Sequence, residues 1–377
     1  MSTVSLVHCN TYEPEVLKEA VSNAVDLLGG ISSFVKTGDH VLLKPNLLSA
    51  KSPERCVTTD PGVVHAVARL VLDEGGKPFI GDSPGLESFG RVAAKTGMIE
   101  VARKLGIKVI ELTQPTPVNP PATAVFKKLE IASQALEADV LINLPKLKTH
   151  SQMLLTLGVK NLFGTIVAQR KAEWHFMAGV NRNTFADLHL DIYQTLKPSL
   201  TILDGVWGME GYGPANGRPR RLDLIAGSED AVALDISICN LLGIPLRSFP
   251  VYRAARVRGI GETDVRQITF KGLSPEAFAF PNFQVPALDS LGFLPSMFDW
   301  FTKRFLVSKP FQIETSCTYC GQCSEICPAE AIQLGAEKLS FDYDRCIRCY
   351  CCQEVCPQDG IDFKKGLLVR LLNRFNR

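Results

Sequence analysis

Short apolar runs alternate with longer amphipathic stretches along the first 240 residues, the pattern of strands and helices wound into a parallel sheet. Val4 to His8 predicts a first strand, and Glu13 to Leu28 a helix stopped by Gly29-Gly30. His40 to Leu43 is a buried strand running into Lys44-Pro-Asn46, and Thr58-Thr-Asp-Pro-Gly62 opens the next helix, with a capping residue before proline. Pro78 to Gly81 predicts a strand that delivers Asp82-Ser83, Phe89 to Leu105 a helix, and Ile107 to Leu112 a strand. After a Pro-rich excursion, Asp139 to Leu144 is a strand ending in Pro145-Lys-Leu-Lys-Thr-His150. Phe185 to Leu196 reads as a helix, Leu200 to Leu203 as a strand entering a Gly-rich loop at Asp204, and Arg221 to Ala226 and Asp230 to Leu242 as a last strand and helix. The fold class expected is α/β, built on an open, mostly parallel, Rossmann-like sheet.

The polar residues of this pattern gather at the carboxyl ends of predicted strands, the edge where open α/β sheets bind ligands. Lys146, Lys148, His150 and Asp204 are the candidate catalytic residues, and Lys44, Asn46, Lys160 and Asn161 the candidate anion-binding ones. Lysines there predict a cationic pocket that takes a phosphate or carboxylate as point charges, or supply a desolvated amine as a base or nucleophile. The competing reading is solvated loop charge, with Asp60 and Asp82 serving as caps and turn residues and His175 and His189 as structural histidines. The chain has no P-loop motif and no clean dinucleotide fingerprint.

The C-terminal region changes the picture. Cys317-x2-Cys320-x2-Cys323-x3-Cys327-Pro328 is repeated as Cys346-x2-Cys349-x2-Cys352-x3-Cys356-Pro357. This spacing belongs to [4Fe-4S] sites in which the fourth cysteine of each run ligates the other cluster. The first cluster is expected on Cys317, Cys320, Cys323 and Cys356, the second on Cys346, Cys349, Cys352 and Cys327; Cys351 is expected to be a non-ligand. Zinc sites use two short cysteine pairs separated by a longer spacer, which this is not. Ile332 and Ile361 follow the two runs at equivalent positions, placed to shield a cluster from water.

The repeat resembles a bacterial-type two-cluster ferredoxin, which implies a small α+β domain moving single electrons. A second resemblance rests on Lys44-Pro-Asn46, Leu144-Pro-Lys-Leu-Lys-Thr-His150, Leu157-Gly-Val-Lys-Asn-Leu-Phe-Gly164 and Asp204-Gly-x5-Gly211-x-Gly213-Pro214. These look like the family known as domain of unknown function 362, whose members often carry a C-terminal ferredoxin module. That resemblance implies no settled activity.

The domains expected are 1–280 for the α/β sheet, 281–310 for an aromatic, apolar connector, 311–363 for the ferredoxin module and 364–377 for a basic amphipathic tail. A net charge of +2 over 377 residues gives no field suited to nucleic acid. Of twelve cysteines nine lie in the repeat, which needs a reducing compartment; with no signal peptide or apolar span, the expectation is the cytoplasm. The tail suits an anionic membrane surface or a redox partner as well as the acidic module beside it. The function expected is single-electron transfer through two [4Fe-4S] clusters. They would link a redox partner protein or low-potential carrier to an anionic small molecule, or to a bound cofactor such as a flavin, at the rim. A ferredoxin-type carrier whose α/β domain only docks or regulates, and a non-redox enzyme with structural or sensing clusters, are the alternatives.

Overall fold

The computed structural model describes residues 2–85, 87–168, 170–178, 181–278, 280–286, 308–336 and 338–364. Most of the expected connector and all of the tail beyond Lys364 lie outside these residues. The chain divides into two compact units, one of residues 1–168 and 186–286, the other of 169–185 and 287–377.

The first unit is built on a ten-stranded sheet. Its strands are β1 (Thr3–His8), β2 (His40–Pro45), β3 (Lys77–Asp82) and β4 (Lys108–Glu111); β5 (Pro115–Val118) and β6 (Leu129–Ala132) form a separate antiparallel ribbon. Then come β7 (Val140–Leu144), β8 (Lys146–His150), β9 (Leu154–Thr156), β10 (Leu200–Glu210), β11 (Arg218–Ser228) and β12 (Thr269–Gly272). The order across the sheet is β12-β1-β11-β10-β7-β2-β3-β4, with the β8–β9 hairpin attached to β10. Strands β10, β7, β2, β3 and β4 are parallel to one another. Strand β11 is antiparallel to both β10 and β1, so β1 runs in the same direction as the parallel set. The carboxyl ends of β1, β2, β3 and β7 therefore share one edge.

Helices pack on this sheet for legible reasons. Helix Pro61–Asp73 starts with proline in its first turn, where no N–H is needed, and the Asp60 side chain accepts from the amide of Gly62. Its apolar stripe, Val63, Val67 and Val71, joins Leu17, Val21 and Val25 of helix Pro14–Asp26 in one core against the sheet. Burying each such side chain stabilises the fold by roughly 1.5–3 kcal/mol. The helix predicted over Phe89 to Leu105 is two, Phe89–Lys95 and Met98–Leu105, because Gly97 takes a left-handed φ of 81° and turns the chain.

Two further expectations differ from the structure. Lys146–His150, read as a loop, is strand β8, with Asp204 beside Lys146 in the β10 register. Strand β10 does not end at Leu203; it continues to Glu210, so Asp204 lies within a strand near an irregularity between Gly205 and Trp207. Lys146–His150 is polar yet buried, which the alternation of apolar residues cannot reveal.

In the second unit, β13 (Lys309–Gln312) pairs antiparallel with β16 (Ile361–Lys364), and β14 (Ile332–Leu334) with β15 (Leu339–Phe341). Each cysteine run folds as a loop entering a short helix, Gln322–Glu325 in the first and Cys351–Val355 in the second. Among the described residues no helix is long and apolar enough to cross a membrane.

Candidate functional site

Four segments from distant parts of the sequence meet at the sheet edge in the first unit. Lys146, at the start of β8, donates to the Tyr12 hydroxyl at 2.8 Å and to Asp204 Oδ2 at 2.9 Å. Tyr12, just beyond β1, donates to Asp204 Oδ1 at 2.8 Å and accepts the backbone N–H of Trp207 at 3.2 Å. The backbone N–H of Asp60 donates to Asp204 Oδ2 at 2.8 Å. The ammonium lies at the hydroxyl end of the Tyr12 ring, 5.3 Å from its centroid, so this contact is a hydrogen bond and not a cation over the face. One of the three Lys146 ammonium hydrogens has no partner among the described residues.

Burial, and then the Asp204 and Asp60 charges, hold the Tyr12 phenol well above its ordinary value, so it remains a proton donor. Burial beside Asp204 also raises Asp60 from 3.8 to about 6, against the opposing pull of Lys146. The cluster thus contains a cation, a phenol and two carboxylates, one of which exchanges its proton near neutral pH. That is equipment for donating to, or accepting a proton from, an oxygen-bearing ligand.

A second network adjoins it. Lys44 of β2 pairs with Asp82 at 2.9 Å and donates to its neighbour's carbonyl, that of Pro45, at 2.7 Å. Burial lowers the Lys44 pKa, with Asp82 opposing. Asp82 also accepts the N–H groups of Leu47 and Ser83. A side chain at Gly164 would overlap both Asp82 and Lys44, so glycine is what lets the backbone lie on this ion pair. Lys148 donates to Asn46 Oδ1 at 2.9 Å and to the Val57 carbonyl at 2.6 Å. Asn46 donates to Asn161, and Asn161 to the Lys44 carbonyl and to Asn143.

The expected rim residues are placed as follows. Lys44, Asn46, Lys146, Lys148, Asn161 and Asp204 enter the two networks. His150 is buried at the end of β8, its Nδ1 accepting the N–H groups of Gln152 and Met153. Lys160 is only half-buried, 5.7 Å from the Phe163 ring. A pocket of uncompensated positive charge does not describe Lys44 and Lys146, because a fully buried ammonium is held only with a carboxylate beside it. Tyr12 is not among the residues expected at the rim; Asp60, for which helix capping is the strong competing reading, caps its helix and also donates its amide to Asp204. The position of Tyr12 just past the carboxyl end of a strand was the available signal.

In the second unit Cys327, Cys346, Cys349 and Cys352 line one cavity. Cys317, Cys320, Cys323 and Cys356 line another. Ile332 borders the former, Ile361 the latter, and Cys351 borders neither. Each fourth cysteine accepts a backbone amide four residues on: Ala331 N–H to Cys327 Sγ at 3.2 Å and Gly360 N–H to Cys356 Sγ at 3.1 Å. Among the described residues no three potential ligands converge on a single ion. Each set of four thiols rings a space instead, which fits a multi-atom cluster with thiolate ligands and amide donors on sulfur.

Comparison with known proteins agrees with both halves. Residues 41–240 match the model of the family described as domain of unknown function DUF362. Residues 309–357 match that of the 4Fe-4S dicluster domain. The thylakoid-associated protein sll1697 of Synechocystis sp. is 38% identical over 321 residues, covering 84% of this chain and 99% of that protein. Among solved structures, the lactate racemase apoprotein from Thermoanaerobacterium thermosaccharolyticum aligns over 62% of this chain and 56% of its own, with a TM-score of 0.39 and 13% identity.

Proposed function

The chain belongs to the family of domain of unknown function 362 and carries a 4Fe-4S dicluster domain, and on that premise we propose that it is an iron-sulfur oxidoreductase acting on an anionic small molecule. The observation that supports this most is the cluster of Tyr12 and Asp60 around the buried Lys146–Asp204 pair, which brings a cation, a phenol and two carboxylates together. Cys317, Cys320, Cys323 and Cys356 would hold one [4Fe-4S] cluster, and Cys346, Cys349, Cys352 and Cys327 the other. When bound, the clusters supply single electrons.

The chain's own residues supply the rest. The free ammonium hydrogen of Lys146 binds a substrate oxygen, and the phenol of Tyr12 shares its proton with Asp204 as charge develops there. Asp60 takes up or gives up a proton near pH 6. Lys148 is held by Asn46 and the Val57 carbonyl in the adjoining network. The electrons come from a redox partner protein or low-potential carrier. The basic tail is a contact for that partner or for an anionic membrane surface; the relative's name refers to thylakoid association.

A second reading is favoured by the same ion pairs. Lys44 and Lys146 already have carboxylate partners, as they would in a ferredoxin-type carrier whose first unit only docks or regulates. One experiment separates the two. The protein is purified without oxygen, its iron, sulfide and any released flavin or other organic cofactor are counted, and the clusters are reduced. Their reoxidation by a panel of small carboxylates and phosphate esters is then followed in wild type and Lys146→Met. Reoxidation by one class of anion that is lost in the variant, with the cluster spectrum intact, supports the oxidoreductase. Equal rates in both proteins would leave only the carrier.

A further inference from the structure

The two cysteine loops are conformationally alike and electrostatically different. In the first, Tyr319 occupies the position before the second cysteine; in the second, Arg348 does, and both take left-handed φ values, 54° and 58°. Their fourth cysteines accept equivalent amide hydrogen bonds, so backbone donation there does not distinguish the cavities. Arg348 does. It lines the cavity of Cys327, Cys346, Cys349 and Cys352, whereas the other cavity is lined by no charged side chain.

Arg348 is only 4% exposed. Its guanidinium donates to the carbonyls of Cys346 at 3.2 Å and Tyr343 at 3.1 Å, and sits 5.6 Å from the Tyr343 ring. Its Nε–H has no acceptor, and no carboxylate among the described residues pairs with it. Arginine stays charged in any protein environment, and a buried, unpaired guanidinium is strongly unfavourable unless an anion compensates it. The nearby acid, Glu354, does not line the cavity.

We propose that Arg348 is the counter-charge of the second cluster, donating its Nε–H to a cluster sulfur and setting that cluster at a higher reduction potential than the first. The inference rests on the ligand sets assigned under the proposed function. Positive charge and hydrogen bonds to sulfur favour the reduced, more negative form. The reduced first cluster then gives up one electron, and the oxidised second cluster takes it up, so the loops are wired in one direction. Arg348 is a positioning and tuning residue, not a ligand.

The test is a spectroscopic redox titration of the full chain, purified anaerobically, with iron and sulfide counted in the same sample. Wild type should show two one-electron waves separated by at least a tenfold partition, about 59 mV. Arg348→Gln should lower only the upper wave, by tenfold or more in the same measure, with iron content unchanged. Tyr319→Arg, which puts the charge into the other loop, should raise only the lower wave and narrow the gap; it decides the matter if Arg348→Gln fails to retain iron. Full iron content with unmoved waves in either variant, or a single wave in wild type, overturns the inference while leaving the cluster assignment standing. A chain that cannot hold iron and sulfide for two clusters overturns both.

Discussion

Lys146 and Asp204 face each other across 2.9 Å with 1% and 0% of their side chains exposed. Removing one partner leaves the other charge buried and uncompensated, and Asp204 also anchors Tyr12 and the Asp60 amide. Asp204→Ala should therefore cost about 3–5 kcal/mol in urea unfolding. Lys146→Met combined with Asp204→Leu should cost less than Asp204→Ala. Simple additivity of the single changes would mean that the pair is not energetically coupled.

Gly164 lies on the Lys44–Asp82 pair with no room for a side chain. Gly164→Ala must displace Lys44 or Asp82, both fully or nearly buried, and should destabilise the protein by about 1–3 kcal/mol. A thermal midpoint equal to wild type would show that the backbone yields there freely.

Asp60 provides a pH signature. Folding raises its pKa from 3.8 to about 6, so the folded state keeps the proton where the unfolded chain has lost it. Stabilisation from the protonated carboxyl is complete below about pH 4 and is lost as pH rises through about 6. Asp60→Asn keeps a helix-capping side chain and stays neutral. Relative to wild type it should gain on the order of 1–3 kcal/mol between pH 4 and pH 7. Parallel stability profiles for the two proteins would contradict the shift.

Cys320 borders a cavity and Cys351 does not. Cys320→Ser should deplete one cluster, roughly halving iron and sulfide, while Cys351→Ser should leave both counts unchanged. The reverse result would reassign the ligands.

Much of this was legible in the chain. The cysteine spacing points to both thiol sets, and polar residues after apolar strands locate the rim at Lys44, Asp82 and Lys146. What escaped was whatever depends on pairing. The polar stretch Lys146–His150 gives no alternation signal, yet β10 and β9 hold it as a buried strand. Arg221 to Ala226 reads as one more strand of a parallel series, and only the partners of β11 show that it runs the other way. Tyr12 sits among ordinary polar residues, and its role arises from its bond to Asp204, a partner far along the chain.

The first strand of the chain finds its sheet partners only at the far end of the unit: Ser5 lies opposite Gly227, and Thr3 opposite Thr269. During synthesis β1 must wait, unpaired, until nearly the whole unit has left the ribosome, since chains emerge from the N-terminus and distant contacts close late. Tyr12 follows directly behind β1, so its hydroxyl reaches Asp204 only when that strand docks. The bond between Tyr12 and Asp204 thus spans 192 positions of the chain, and a truncated chain that lacks β11 leaves the strand in front of Tyr12 without the neighbour that places it.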